Sequence, residues 1–147
     1  MEQNHATESG VEGMLKVEDL HVTYHNEIPA LKEVNLTVGE GEFVGVIGSS
    51  GSGKSTLLKS MNLLVRPAKG TIHFDGREIT GLTSKELRTV RREMGFIFQD
   101  YNLIDRSTVI DNVLVGRLAY LTPFKSLFRI FSEEDYERAA KALGYVA

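Results

Sequence analysis

The sequence predicts an α/β fold in which a strand, a loop and a helix follow a small β segment. The main observation is a short apolar run, Phe43–Ile47, followed by a glycine-rich stretch and then by apolar residues at helical spacing. An apolar run of this length is typical of a strand buried in a parallel sheet. Two segments with alternating apolar residues precede it, and a period of two predicts strands.

The segment before the apolar run contains two predicted strands. In the first, the apolar alternation shifts by one residue near Glu18 and Asp19, which indicates a β-bulge. The second covers Val34–Val38. Residues 1–13 carry no periodicity, so we expect a disordered tail there and one folded domain over residues 14–147.

Downstream of the glycine-rich stretch, the same reasoning predicts two more strands and several helices. The strands cover residues 71–74 and 95–98, and the second is expected to be buried and to end at Gln99. Predicted helices cover 83–94, Ile110–Leu121, the aromatic segment 124–131, and a last stretch that begins at the capping-box pair Ser132 and Asp135.

Composition excludes several classes of function. The 147 residues suffice for one domain with a core, and the net charge of −3 gives no basic signature for a nucleic-acid partner. The chain has no cysteine, which excludes disulfides and thiolate metal sites. No apolar run approaches the roughly 18 residues that span a bilayer, and the first residues are polar, unlike a signal peptide. The default expectation is a cytoplasmic protein.

The glycine-rich stretch fits the phosphate-loop pattern Gly, four residues, then Gly-Lys-Ser. Its glycines allow many backbone N–H groups to converge on a triphosphate. Lys54 can place a cation on the β- and γ-phosphates, and the hydroxyl of Ser55 can bind Mg²⁺. A flexible Ser/Gly linker is the alternative, but a linker would not run into an amphipathic helix. The predicted nucleotide-binding residues are Gly48, Ser49, Ser50, Gly51, Ser52, Gly53, Lys54, Ser55 and Thr56.

Residues around this loop resemble the first part of an ABC-transporter ATPase subunit. Neither of the downstream motifs of a GTPase, Asp-x-x-Gly and Asn-Lys-x-Asp, occurs in the sequence. The resemblance covers about residues 14–147 and implies a P-loop NTPase core of the ABC ATPase type, with an N-terminal antiparallel β subdomain and with ATP and Mg²⁺ as cofactors. The residues that carry it are Tyr24, Ala30–Val34, Gly41–Phe43, Gly70–Ile72 and Phe96–Gln99.

The resemblance also implies roles for two residues outside the loop. Tyr24 would stack on the adenine, which suits a flat aromatic ring. Gln99 would begin the Q-loop, contact Mg²⁺ or the attacking water, and serve with Ser55 as a metal ligand. The alternatives are a packed strand aromatic for Tyr24 and a polar residue at a strand end for Gln99.

Within that family the chain resembles phosphonate importers, which belong with phosphate and phosphite uptake systems. The matching stretches are Met94–Ile104, Asn112–Leu118, Pro123–Leu127 and Phe131–Asp135. This implies an ATPase subunit at the cytoplasmic face of the membrane, bound to permease subunits and to a second ATPase subunit, and served indirectly by a substrate-binding protein. The alternatives are a nucleotide-binding fragment with no transport role, and the ATPase subunit of another importer, such as one for amino acids.

The sequence departs from the family pattern in what it lacks. The family continues with a Leu-Ser-Gly-Gly-Gln signature motif, a Walker B strand ending in Asp-Glu, and a switch histidine, and none of these occurs before Ala147. By resemblance, therefore, no residue of this chain is assigned as catalytic, and we expect the chain alone to bind nucleotide without turnover.

Apolar residues of the aromatic segment 124–131 fall at i, i+3, i+4 and i+7, so we expect them to share one helical face. Two interpretations remain open: packing on the domain's own helices, or a groove that receives a helix of a membrane subunit. The residues are Phe124, Leu127, Phe128 and Phe131.

Overall fold

The computed structural model describes residues 14–24, 28–100 and 102–145. The structure divides into two units, the first ending at Leu87 and the second beginning at Arg88. The predicted tail over residues 1–13 lies outside the described residues.

The first unit contains an antiparallel sheet of four strands. The strands are β1 (Leu15–Tyr24), β2 (Ile28–Val38), β3 (Lys69–Phe74) and β4 (Arg77–Glu78), in the spatial order β2-β1-β3-β4. β1 pairs with β2 on one side and with β3 on the other, and a tight turn at Asp75 and Gly76 connects β3 to β4. The antiparallel β subdomain and the bulge near Asp19 are therefore confirmed.

The core of this unit lies on one face of the sheet. Apolar side chains of β1, β2 and β3 are buried together with those of α1 (Lys54–Met61), the helix that follows the phosphate loop. The buried apolar residues are Val17, Leu20, Val22, Leu31, Leu57, Met61, Leu63, Ile72, Ile79 and Leu87.

A second helix, α2 (Ser84–Val90), is shorter than the predicted range of 83–94. It begins with a reciprocal pair in which Thr83 N donates to Glu86 Oε2 at 2.9 Å and Glu86 N donates to Thr83 Oγ1 at 3.4 Å. This is the capping-box arrangement, which satisfies amides that have no partner within the helix.

The second unit is helical. It contains α3 (Val109–Val115), a 3₁₀ helix (Leu118–Tyr120), α4 (Pro123–Leu127) and α5 (Glu133–Gly144). The single helix predicted over Ile110–Leu121 is therefore wrong: α3 stops before Gly116, a residue with low helix propensity. The predicted start of α5 is confirmed, because Ser132 and Asp135 form a capping box.

Two predicted buried strands are wrong. The segments Phe43–Ile47 and 95–98 form no strand, and Phe43, Ile47 and Ile97 are each more than nine-tenths exposed. A parallel strand is held by hydrogen bonds from neighbouring strands and is buried only when other layers cover both faces. Within the described ranges, no strand pairs with either segment.

Of the helices in the described part of the chain, none has both the length and the hydropathy needed to cross a bilayer.

Candidate nucleotide-binding site

The phosphate loop leads directly into the N-terminus of α1. Gly53 is the N-cap residue, and its carbonyl accepts a hydrogen bond from Leu57 N at 2.8 Å. No side chain caps the first amides of α1, and its first turn contains no acidic residue. Uncapped amides at a helix N-terminus carry partial positive charge and favour an anion.

Lys54 adds a full positive charge at the same place. Its side chain reaches back across the loop, and Nζ donates to the carbonyl oxygens of Gly48 at 2.8 Å and Ser49 at 2.6 Å. A longer contact of 3.3 Å joins Nζ to Ser52 Oγ. The ammonium group therefore lies inside the curve of the loop, where it adds to the helix dipole.

Close packing against β2 fixes the end of the loop. Gly53 has φ of 88°, a backbone angle that residues with a Cβ atom rarely adopt. A Cβ at this position would lie 2.7 Å from Ala30 O and 2.8 Å from Leu31 Cδ2. The backbone of β2 and the loop therefore touch at a point where only glycine fits.

The structure brings Tyr24 to the same site. Tyr24 is the last residue of β1, and its hydroxyl lies 3.4 Å from Thr56 Oγ1 in the first turn of α1. The side chain is 37% exposed, so part of the ring remains free for contact. Tyr24, which the family resemblance singles out, thus lies next to the helix turn that follows the phosphate loop, although its role toward a nucleotide stays a prediction.

The two predicted metal ligands lie in different units. Ser55 is exposed in the first turn of α1, and Gln99 is exposed in a bend of the second unit. In the ranges that the structure describes, no group of three or more histidine, aspartate or glutamate residues could hold a metal ion. The predicted Mg²⁺ site depends instead on hydroxyl and amide oxygens, and it stays a prediction.

Sequence reasoning missed an ion pair in the second unit, in which Asp135 is buried and Arg117 is partly exposed. Arg117 Nε donates to Asp135 Oδ1 at 2.8 Å, and Ser132 Oγ donates to Asp135 Oδ2 at 2.8 Å. The guanidinium of Arg117 lowers the pKa of Asp135 from 3.8 to about 2, and the backbone amide and hydroxyl of Ser132 contribute to the same shift. The Arg117 guanidinium also lies 4.3 Å from the ring centroid of Tyr120. The Ser132–Asp135 spacing pointed to the cap, but no local pattern pointed to Arg117, because it lies 18 residues away.

A groove of about 460 Å³ lies between the loop that follows residue 102 and helices α3 and α5. Asn112 ties that loop to α3: Ile104 N donates to Asn112 Oδ1 at 2.7 Å, and Asn112 Nδ2 donates to Thr108 O at 3.0 Å. The groove is lined by Leu103, Ile104, Asp105, Ser107, Val109, Asn112, Val113 and Leu143.

The aromatic segment does not form one continuous helical face. α4 ends at Leu127, so Phe131 lies beyond it and faces Tyr136, with 6.3 Å between ring centroids. Phe124, Leu127 and Phe128 are each 60% exposed or more. The helices of the described ranges therefore leave these three side chains largely uncovered, and both interpretations of the segment stay predictions.

A family model described as ABC transporter matches residues 31–147, more than three-quarters of the chain. The chain belongs to the ABC transporter family. The likeness to solved members extends to the fold. A dimeric ATP-binding cassette in a post-hydrolysis state, bound to ADP and Pi, is 38% identical and has a TM-score of 0.73, covering 89% of this chain and 56% of that one. A nucleotide-free cassette from an ABC transporter is 30% identical, with a TM-score of 0.73 over 90% of this chain and 53% of its own. The predicted fold class is confirmed.

Curated relatives within the family carry a more specific name. The Phosphonates import ATP-binding protein PhnC of Lactobacillus gasseri is 47% identical over 130 residues, which is 88% of this chain and 50% of that protein. Phosphonates import ATP-binding protein PhnC 1 of Rhodopseudomonas palustris is 48% identical over 130 residues, 88% of this chain and 48% of its own length. The chain spans about half the length of the curated relatives it matches.

Proposed function

We propose that this chain is the nucleotide-binding part of an ABC importer ATPase subunit that serves uptake of phosphonate or of a related phosphorus oxyanion, phosphate or phosphite. The observation that carries the proposal is the phosphate loop, in which uncapped α1 amides and the Lys54 ammonium converge. The substrate class rests on the curated relatives that are named as phosphonate importers.

The residues of the first unit fit the parts of ATP. Loop amides and Lys54 would hold the phosphates by charge-assisted hydrogen bonds, which are stronger than neutral ones. The hydroxyl of Ser55, which is exposed, would contribute one ligand to Mg²⁺, and the ion would neutralise phosphate charge when bound. The partly exposed ring of Tyr24 would stack on the adenine. Binding would thus use the triphosphate for affinity and the base for selectivity.

We also propose that the chain by itself holds ATP without turning it over. Phosphoryl transfer to water needs an oriented nucleophile and groups that neutralise the developing charge. The sequence contains neither a Leu-Ser-Gly-Gly-Gln motif nor an Asp-Glu pair. Lys54 and the loop amides supply phosphate contacts, but they supply no general base.

In the complete transporter, the subunit would lie at the cytoplasmic face of the membrane against permease subunits and a second ATPase subunit, with a substrate-binding protein delivering the solute. The exposed side chains of Phe124, Leu127 and Phe128 support a protein partner, because exposed apolar clusters mark interaction surfaces. In a complex assembled with the permease, a cysteine at position 124 or 128 should crosslink to it. A cysteine at exposed Glu137 on α5 is the comparison position, and absence of a crosslink from 124 and 128 would remove this surface from the proposal.

Equilibrium binding of ATP with Mg²⁺ tests the nucleotide site. Lys54→Ala should abolish measurable binding, because it removes the cation inside the loop. Lys59→Ala is the matched control, since Lys59 is an exposed lysine in the last turn of the same helix. Equal affinity of wild type and Lys54→Ala for ATP would contradict the site.

The substrate class is tested separately, by deleting the gene and measuring growth on a phosphonate as the sole phosphorus source. If growth on the phosphonate is unchanged but growth on an amino acid as the nitrogen source is impaired, the result would favour an amino-acid importer.

A further inference from the structure

We infer that Asn35 and Gly70, which lie outside the phosphate loop, are positioning residues for Tyr24. They hold the bulge in β1 that turns Tyr24 toward the loop. The inference rests on the proposed function, because it concerns how the aromatic ring of the nucleotide site is placed.

The bulge decides which face of the sheet carries Tyr24. Val17, Leu20 and Val22 are all buried, with exposures of 1%, 0% and 0%, although Val17 and Leu20 are three residues apart. In a regular strand, residues at an odd separation point to opposite faces. One extra residue in β1 restores the common face, and Tyr24 then follows Leu20 and Val22 on it. The hydroxyl of Tyr24 reaches Thr56 for this reason.

The side-chain amide of Asn35 forms hydrogen bonds with the backbone of both β1 and β2. β1 gains one residue relative to β2 between Val17 and Leu20. β2 then gains one residue before Val22 pairs with Leu31 and another before Thr23 pairs with Pro29. Asp19 and Glu33 have φ of 45° and 52°, so each strand passes through the left-handed region once. Asp19 N donates to Asn35 Oδ1 at 2.9 Å, and Asn35 Nδ2 donates to Glu33 O at 3.1 Å. The single side-chain amide of Asn35 therefore links the two left-handed positions, Asp19 and Glu33.

Gly70 holds the bulge from the other side. β1 also gains one residue relative to β3 between Glu18 and His21, and Gly70 lies opposite this extra residue with φ of 93°. A Cβ on Gly70 would lie 2.5 Å from Glu18 O and closer still to Asp19 O. The neighbouring Lys69 Nζ lies 2.7 Å from Asp19 Oδ2. Any larger residue at position 70 would push the bulge away from β3.

The test separates base recognition from phosphate recognition. Binding of ATP and of inorganic tripolyphosphate, each with Mg²⁺, is measured for the 147-residue chain and for the Asn35→Ala and Gly70→Ala variants. We expect Tyr24→Ala to weaken ATP binding roughly 5- to 150-fold, the range for loss of one base stack. Asn35→Ala should weaken it about fivefold, at the lower end of that range, because it loosens the ring without removing it. Tripolyphosphate affinity should be unchanged in Asn35→Ala.

Two matched controls exclude a general effect on the sheet. Thr37→Ala removes an exposed side chain two residues from Asn35 on the same strand, and Gly76→Ala imposes a similar backbone strain at φ of 69°, away from the bulge. Both should keep the ATP affinity of the wild type. Asn35→Ala keeps the test valid if Gly70→Ala does not fold, since Asn35 is exposed and lies outside the buried core.

A double-mutant cycle gives a second readout. In a Tyr24→Ala background, Asn35→Ala should cause no further loss of ATP affinity, because the side chain that it positions is already gone. Additive losses, or an equal loss of ATP and tripolyphosphate affinity, would overturn the inference, as would unchanged ATP affinity in Asn35→Ala. Failure of the proposed function looks different, since wild type would then bind neither ligand.

Discussion

Replacement of Gly53 by alanine tests how the phosphate loop is held against β2. The new Cβ would lie 2.7 Å from Ala30 O and 2.8 Å from Leu31 Cδ2, and the residue would have to keep φ of 88°. Gly51→Ala is the matched variant: Gly51 has φ of 78°, but its Cβ would meet nothing within 4 Å. The two variants therefore share the backbone penalty and differ in the steric one.

The magnitudes follow from these two terms. The left-handed conformation costs a residue with a Cβ about 1–2 kcal/mol. Forcing an extra carbon into a packed contact costs typically about 1–3 kcal/mol more. We therefore expect Gly51→Ala to lower the free energy of unfolding by about 1–2 kcal/mol and Gly53→Ala by about 2–5 kcal/mol.

Urea unfolding followed by far-UV circular dichroism measures both values, with linear extrapolation to zero denaturant. The larger loss in Gly53→Ala should be accompanied by weaker binding of ATP with Mg²⁺, because relief of the contact moves the loop away from β2. If Gly51→Ala and Gly53→Ala lower the free energy of unfolding equally, the contact between the loop and β2 does not fix Gly53.

Three further predictions concern the base, the buried carboxylate and turnover. Tyr24→Phe should bind ATP almost as well as wild type, because the hydroxyl contact to Thr56 is long at 3.4 Å. Tyr24→Ala should lose about 1–3 kcal/mol of ATP-binding free energy. Equal losses for the two variants in a binding titration would point to the hydroxyl instead. The pKa of Asp135 is lowered from 3.8 to about 2, so its stabilising contribution is complete above about pH 4 and is lost as pH falls toward 2. Urea unfolding at several pH values should show a steeper loss over that window in wild type than in Asp135→Asn, and parallel curves would refute the assignment. Phosphate release by the purified chain should match that of Lys54→Ala, and turnover near roughly 1 s⁻¹ that the substitution abolishes would reveal catalytic groups within the chain.

The phosphate loop and the strands of the β segment could be predicted from the sequence because their signals are local, whereas the antiparallel pairing of those strands was implied only by the family resemblance. The spacing of glycines and Lys54 defines the loop, and the change of alternation near Asp19 defines the bulge. The segment Phe43–Ile47 has the composition of a buried strand, yet it forms none, because pairing of a parallel strand depends on partners far along a chain. The composition of the five residues Phe43–Ile47 carries no information about the strands that would have to pair with them.

The pair of Arg117 and Asp135 shows the same limit in the second unit. The Ser132–Asp135 spacing identified a helix cap, and that cap is confirmed. A further hydrogen bond to the Asp135 carboxylate comes from Arg117, which follows α3. Only the packing of α3 against α5 brings Arg117 Nε within 2.8 Å of Asp135 Oδ1. Long-range pairs of this kind leave no periodic trace in a sequence.

The irregularity in β2 also affects how copies of the chain can associate. β2 is at the edge of the described sheet, and the left-handed residue Glu33 interrupts its outward row of backbone donors and acceptors. A second copy could pair regularly only along one of the two short stretches that flank Glu33, Ile28–Lys32 or Val34–Val38, so strand-to-strand stacking is discouraged at this edge. Exposed apolar side chains outside the sheet, such as Phe43 and Ile47, therefore favour association of copies more than this edge does.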